Sequence, residues 1–332
     1  MASEDFHRPG EASWSVDEIR YHEIERDRIK EDTQLLYLLT SASFIEITSD
    51  LYTRNLVEFF GEDRETVQWL EERWEPEELQ HGAALKRYVQ AAWPDFDWDG
   101  AYQSFFSEYA RTCSVEALEP KRALELAARC VVETGTSSFY TMLAAIDREP
   151  VLTQLAARIR ADEVRHYKHF YRYFLKYCER ERPSRIAVLK TLLKRAAAVQ
   201  SEDALIAFKH VHLMRNPGAA FQRSDYDSYC DSVRQIAKYH FPQEMAVKMM
   251  LKPLGFGAMA GRIAVAMAMS LCSLLLGTDL PHRRVPARPR ARRRYGVAAR
   301  TLGDPRSHHG ATGADVASQP SLRIYGGFNA RT

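Results

Sequence analysis

The chain is poor in the residues that build cross-linked or nucleotide-binding domains. Its five cysteines, Cys113, Cys130, Cys178, Cys230 and Cys272, are odd in number and scattered, with no Cys-x-x-Cys. That argues against a disulfide framework or a zinc knuckle and suits a reducing compartment. There is no Gly-x-Gly-x-x-Gly and no P-loop, so a nucleotide cofactor finds no support. Gly and Pro are sparse through the first two thirds, as long helices require. The N-terminus, MASEDFHRPGEAS, lacks a basic-then-apolar signal pattern, and we expect a cytoplasmic protein. The C-terminal uncharged apolar run, Ile263 to Leu276, is 14 residues long, and a membrane span needs about 20. A buried packing helix is the expectation there, ahead of peripheral membrane contact by residues 254–277.

What is present is a globular composition, 45% hydrophobic and 27% charged over 332 residues, enough for one large or two ordinary domains. The charge is unevenly placed. Residues 281–332 hold eleven Arg and no Lys against Asp304 and Asp315, a net +9, which leaves −7 on the rest of a chain whose total is +2. Basic tails of this kind can bind nucleic acid or anionic membrane. The Arg/Pro/Ala/Gly usage is read here as a disordered extension, and no nucleic-acid partner is expected for the body.

Helical periodicity dominates and no strand hairpin is evident. Ser15-Val16-Asp17-Glu18 is a capping-box pattern expected to open the first helix. A long apolar stretch over about 34–60 ends at Gly61. The next helix runs from near Asp63 to Ala92 and contains Pro76, which implies either a kink or a restart with Pro76 in the first turn. A short crossover helix is expected over 99–112, long helices over 120–147 and from Pro150 to about Tyr177, and weaker helical patches at 184–199, 202–214, 225–239 and 242–251. The domain reading is a bundle over 1–180, additional helices over 181–280 packing on it, and the tail over 281–332.

The most informative pattern is a duplicated Glu-x-x-His. Glu78 precedes His81 and Glu163 precedes His166, each pair one helical turn apart and therefore on one face. Glu46 lies 32 residues before the first pair and Glu133 lies 30 before the second, both in otherwise apolar helix. A lone charge in such surroundings is expensive unless paired or ligated. Four Glu and two His on four helices form the ligand set of a carboxylate-bridged two-metal site. Glu78 and Glu163 would bridge, Glu46 with His81 would complete one ion, and Glu133 with His166 the other. Carboxylate and imidazole donors suit iron or manganese, and the absence of thiolates argues against zinc or iron–sulfur. Glu58 is the rival to Glu46, but Arg54 and Glu62 beside it mark a surface face. His210, His212, His169 and the aromatic cluster from Tyr167 to Tyr177 are read as packing.

At these residues the chain resembles the ferritin-like di-iron superfamily, and within it the soluble acyl-carrier-protein desaturases. Glu77-Glu78-Leu79-Gln80-His81-Gly82 is similar to that family's E-E-N-R-H-G, Ala161-Asp162-Glu163-Val164-Arg165-His166 to its A-D-E-K-R-H, and Glu133-Thr134-Gly135-Thr136 to its E-R-A-T. The resemblance spans roughly residues 34–180. It implies an all-α, ferritin-like four-helix bundle with additional C-terminal helices. It implies a pair of iron ions, with manganese as the alternative metal, and O2 as co-substrate. It places Thr136 beside the oxygen-binding side of the metals and makes Asp162 the acid that orients a ligand histidine on the electron-entry route. The implied reaction is desaturation of a fatty acyl chain carried on acyl carrier protein, or of a similar hydrophobic substrate, with a ferredoxin-like electron donor and a homodimeric enzyme. Thr134 stands where the family has arginine. Docking an acidic carrier calls for a basic patch, for which Arg185, Lys190, Lys194 and Arg195 are the candidates, although they read first as a solvated helix face. The alternatives are another di-metal oxygenase (an N-oxygenase, a fatty-acid decarboxylase or a ribonucleotide-reductase-like ligand-binding oxidase), a non-enzymatic iron-handling protein, and a bundle that has lost turnover.

Overall fold

Aspartates and glutamates at the ends of apolar-periodic segments set where the helices begin. Asp32 accepts from the Leu35 amide to open α1 (Thr33–Ile47), Asp63 from Thr66 to open α3 (Arg64–Trp69), and Asp97 from Gly100 to open α5 (Trp98–Tyr109). The remaining helices are α2 (Ser49–Phe60), α4 (Glu75–Ala92), α6 (Arg122–Ile146), α7 (Pro150–Glu181), α8 (Arg185–Val199), α9 (Asp203–Arg215), α10 (Arg223–His240), α11 (Gln243–Leu251) and α12 (Ala258–Leu276). The computed structural model describes residues 14–113, 118–199 and 203–276, and among them there is no strand. The fold is all-α. The expected disorder of 281–332 lies outside the described residues.

The most extensive pairing is α6 with α7, followed by α1 with α4, and α4 also touches α7. The α6–α7 turn is short because Asp147 takes a left-handed conformation (φ 50°), after which Glu149 caps the Val151 and Leu152 amides and Pro150 sits in the first turn of α7. Helix α5 packs with α1 and α9, whereas α8 packs on α6. No helix among the described residues is long and apolar enough to cross a membrane.

Four local expectations change. The Ser15–Glu18 capping box is present but closes a single 3₁₀ turn, Val16–Glu18, the first of three such turns that carry the segment before α1. The 34–60 stretch is two helices, because the Thr48 hydroxyl donates to the Phe44 and Ile45 carbonyls, both at 2.9 Å, and side-chain back-bonding of this kind bends a helix. Between α3 and α4 the chain makes a π-helical turn, Leu70–Trp74, in which the Glu75 amide reaches the Leu70 carbonyl. Pro76 then falls in the first turn of α4, the restart that the sequence allowed, directly after the π-helical turn. The fourth change concerns α12. It packs by one side on α11 and α10, but Met259, Ile263, Met267, Leu271 and Leu274 are more than half exposed, so it is not a buried helix.

Candidate metal centre

The one-turn spacing of Glu78 and His81 on α4, and of Glu163 and His166 on α7, points all four side chains into the space between these helices. Glu46 enters from the last turn of α1 and Glu133 from the middle of α6. None of the six is more than 6% exposed. Their donor atoms form two overlapping groups, Glu46, Glu78, His81 and Glu163, and Glu78, Glu133, Glu163 and His166. Within each group the donor atoms all lie inside 4.8 Å of one another. The cluster can therefore hold metal, and Glu78 and Glu163 belong to both halves. Glu58 is exposed on α2 and outside it.

Close approach of α4 to α1 makes this convergence possible. A Cβ at Gly82 would lie 2.6 Å from the Ile47 amide nitrogen, so only glycine next to His81 lets the Glu46 end of α1 come this near. The π-helical turn ahead of α4 resets the rotation of that helix, consistent with the placement of such turns at functional sites.

Both imidazoles turn the same edge inward. His81 Nε2 lies 3.1 Å from Asp162 Oδ2 and His166 Nε2 lies 2.8 Å from Glu77 Oε2, so each outer N–H has a carboxylate to accept its hydrogen bond. The inner nitrogens face carboxylates at 3.2 Å (His81 Nδ1 to Glu163 Oε1) and 3.0 Å (His166 Nδ1 to Glu78 Oε1) without a well-directed hydrogen bond. Glu133 Oε2 and Glu163 Oε1 are likewise buried without one. Four orphaned donor atoms converging in one buried space are what a cation would satisfy, and the residues fit a metal.

The electrostatics agree. Burial, then the neighbouring Glu163 and Glu46, raise the Glu78 pKa well above the usual carboxylate range. Burial raises Glu133 to about 8. At His81 burial opposes the cation, but Asp162, Glu163 and Glu46 outweigh it and the pKa rises. His166 is raised in the same way by Glu133, Glu77 and Glu78. Without metal, the cluster keeps protons where cations would otherwise balance the charge.

Around this core lie residues that the sequence pattern did not single out. Trp14, from the segment before α1, donates through Nε1 to Asp162 Oδ2 at 2.7 Å and stacks over His81 at 6.2 Å. Asp162 thus joins Trp14 to His81, and despite its burial the His81 and Arg165 contacts hold its carboxyl well below the usual range. Arg165 ties Asp162 to Glu77, the two acids that orient the two histidines, and Arg73 pairs with Glu77 at 2.9 Å. Tyr140, buried two turns beyond Glu133, donates to Glu46. Its i+7 position relative to Glu133 was a readable signal, whereas nothing local marks Trp14. Thr136 donates to Glu163 Oε2 at 2.5 Å, with the Glu133 carbonyl a weaker alternative at 3.3 Å. Its hydroxyl is therefore at the cluster and not merely bonded to its own helix.

The other candidates are placed elsewhere. His210 lies 2.8 Å from Glu108 and His212 3.2 Å from Tyr37, both away from the cluster. His169 stacks on Trp69 at 5.0 Å, and burial lowers its pKa to about 4. Of the basic residues on α8, Lys194 pairs with Glu119, Arg195 faces Glu125 and Arg185 donates to the Gly255 carbonyl, so three of the four already have partners within the chain. Comparison of the sequence with models of known protein families and with curated proteins gives no match.

Proposed function

We propose that this protein is an O2-dependent di-iron oxidoreductase built on a ferritin-like bundle, acting on the hydrocarbon of a fatty acyl or similar hydrophobic substrate. The observation that carries the reading is the sharing of Glu78 and Glu163 between two donor groups, which suits a bridged pair of cations better than a single ion. Glu46 and His81 would hold one ion, and Glu133 and His166 the other. When bound, a ferrous pair would supply the electrons that reduce O2 and the oxidising power to take hydrogen from an unactivated C–H bond.

The chain's own groups then have defined tasks. Asp162 and Glu77 hold protons on the outer nitrogens of His81 and His166, which keeps both inner nitrogens free to ligate. Thr136 carries a hydroxyl proton at Glu163 Oε2, inside the cluster and available to reduced oxygen. Trp14 and Asp162 form a hydrogen-bonded route to His81 along which a ferredoxin-like donor could deliver electrons. Tyr140 fixes the Glu46 carboxylate. Burial of all six ligands excludes bulk water from the reacting atoms. Because Arg185, Lys194 and Arg195 are engaged internally, this reading rests on recognition of the acyl chain rather than of an acidic carrier.

The test is product analysis. The iron-loaded protein is chemically reduced and exposed to O2 with acyl-carrier-protein-linked or free fatty acid. A product lighter by two hydrogens is expected. A product heavier by one oxygen would move the assignment to an oxygenase on the same site. Uptake of ferrous iron far beyond the capacity of the cluster, with no organic product, would replace enzyme by storage.

A further inference from the structure

One side of α6 leads from a pair of arginines to the metal cluster. Every residue of α6 from Ala123 to Val131 is buried, and the next that are not, Val132, Gly135, Thr136 and Phe139, share one side of the helix. A Cβ placed at Gly135 would meet no atom within 4 Å, so there is open space at this level. Thr136 is half-buried and donates to Glu163, which joins this side to the cluster. Arg129 stands one turn before Val132, with Glu125 a further turn back. Arg129 is only 4% exposed, and its one hydrogen bond among the described residues runs from Nε to Glu125 Oε1 at 3.1 Å. Arg195, on α8, approaches Glu125 Oε2 at 3.6 Å and makes no hydrogen bond among the described residues.

Two guanidiniums therefore share one carboxylate. The other acids close by are engaged, Glu119 with Lys194 at 2.8 Å and Asp203 with the Tyr52 hydroxyl at 3.3 Å. Burial, and Arg129 beside it, lower the Arg195 pKa, as expected of a cation short of anionic partners. A guanidinium carries five N–H donors in a fork that matches an oxyanion, and burying it with most of them unused is costly. We infer that Arg129 and Arg195 bind the oxyanion head of the acyl substrate, a carboxylate or a phosphate, with its first carbons running along Val132 and Gly135 to Thr136. The inference rests on the acyl reading of the metal site. It adds that the substrate enters as a free acid or phosphate ester, because a carrier-linked thioester has no charge at its carbonyl for the arginines to hold. Arg129 lies one turn from Glu133 and its side chain leans back toward Glu125, so the head sits about 5–11 Å along α6 from the cluster. The head end of the chain, rather than its tail, is thereby placed beside the metals.

The experiment is calorimetric titration of the full chain, metal-free and iron-loaded, with dodecanoate, dodecyl phosphate and dodecanol below their micelle concentrations. At least one of the two anions is expected to bind about tenfold or more tighter than the alcohol, and the tighter of the two identifies the head. Arg195→Gln leaves Glu125 paired with Arg129, and is expected to weaken the anion about tenfold while leaving dodecanol unchanged. Gly135→Leu fills the open space without touching either arginine, and is expected to weaken anion and alcohol alike with circular dichroism unchanged. Dodecanol binding as tightly as both anions overturns the inference. So does anion affinity untouched by Arg195→Gln, or chain binding untouched by Gly135→Leu. A protein that takes up iron but binds neither anion loses this inference and keeps the metal site. One that binds the anion at Arg195 but yields no oxidised product keeps the anion site and loses the acyl-oxidation reading.

Discussion

The space between α4 and α7 and the outer face of α12 depart from ordinary burial in opposite directions. Inside, Glu46, Glu78, Glu133 and Glu163 crowd together with almost no exposure, and burial and mutual repulsion raise the pKa values of Glu78 and Glu133. Outside, a row of Met, Ile and Leu faces water. Desolvating an uncompensated carboxylate costs several kcal/mol, and an exposed aliphatic side chain forgoes about 1.5–3 kcal/mol of burial. Each region therefore departs from an ordinary protein surface: the inner cluster has a donor set that cations would complete, and the outer row leaves apolar surface in water. The regions differ in how tightly the chain specifies them. The inner cluster is over-determined by Asp162, Glu77, Arg165, Thr136 and Tyr140. The outer stripe is held by the packing of α12 on α10 and α11.

That contrast can be broken or sharpened by substitution. The largest effect is expected at Glu78, which belongs to both donor groups. Its raised pKa means that keeping it buried costs stability at any pH above the ordinary carboxylate range. Glu78→Gln should therefore stabilise the metal-free protein by about 1–4 kcal/mol while eliminating the rise in melting temperature that ferrous or manganous ion gives. Lower metal-free stability in the variant would contradict this. Asp162→Asn removes the anion that fixes His81 and should weaken metal affinity about 10–100-fold, read by competition with a chelator. Gly82→Ala forces α4 away from Ile47 and should cost about 1–3 kcal/mol of stability, seen as a lower denaturation midpoint with unchanged slope.

Proton linkage gives a subtler test. Without metal the Glu133 pKa is raised to about 8 from 4.5. In that window the folded metal-free protein holds a proton that the unfolded chain has lost, so this group's contribution to stability declines as pH rises. Metal binding must displace the proton, so the melting-temperature gain on adding metal should grow with pH up to about 8. A gain that is flat in pH would mean that metal binding does not displace a proton from Glu133. The smallest expected effect is at the outer stripe, where Leu271→Glu should change stability by no more than about 0.5 kcal/mol. A large loss there would show that the stripe supports the fold.

The legibility of the sequence follows the same division. The ligand candidates could be found because the i,i+3 spacing of Glu78–His81 and Glu163–His166 is a local property of a helix, and Glu46 and Glu133 stood out as lone charges in apolar stretches. Trp14 could not be found, since its partner Asp162 is 148 residues away and the contact exists only after the segment before α1 folds over. The break at Thr48 turns on one hydroxyl finding two carbonyls, which the apolar pattern of 34–60 does not encode. Helix α12 was misread because hydrophobicity reports a need for cover without saying that the chain supplies it.

The most direct test of the central claim is the metal content of the purified protein and of its Glu163→Ala variant, measured by elemental analysis after loading with ferrous iron without oxygen. The account predicts about two ions per chain in the unsubstituted protein and loss of most of both in the variant, because Glu163 serves both halves of the cluster. A single ion, no ion, or two ions retained after Glu163→Ala would contradict it.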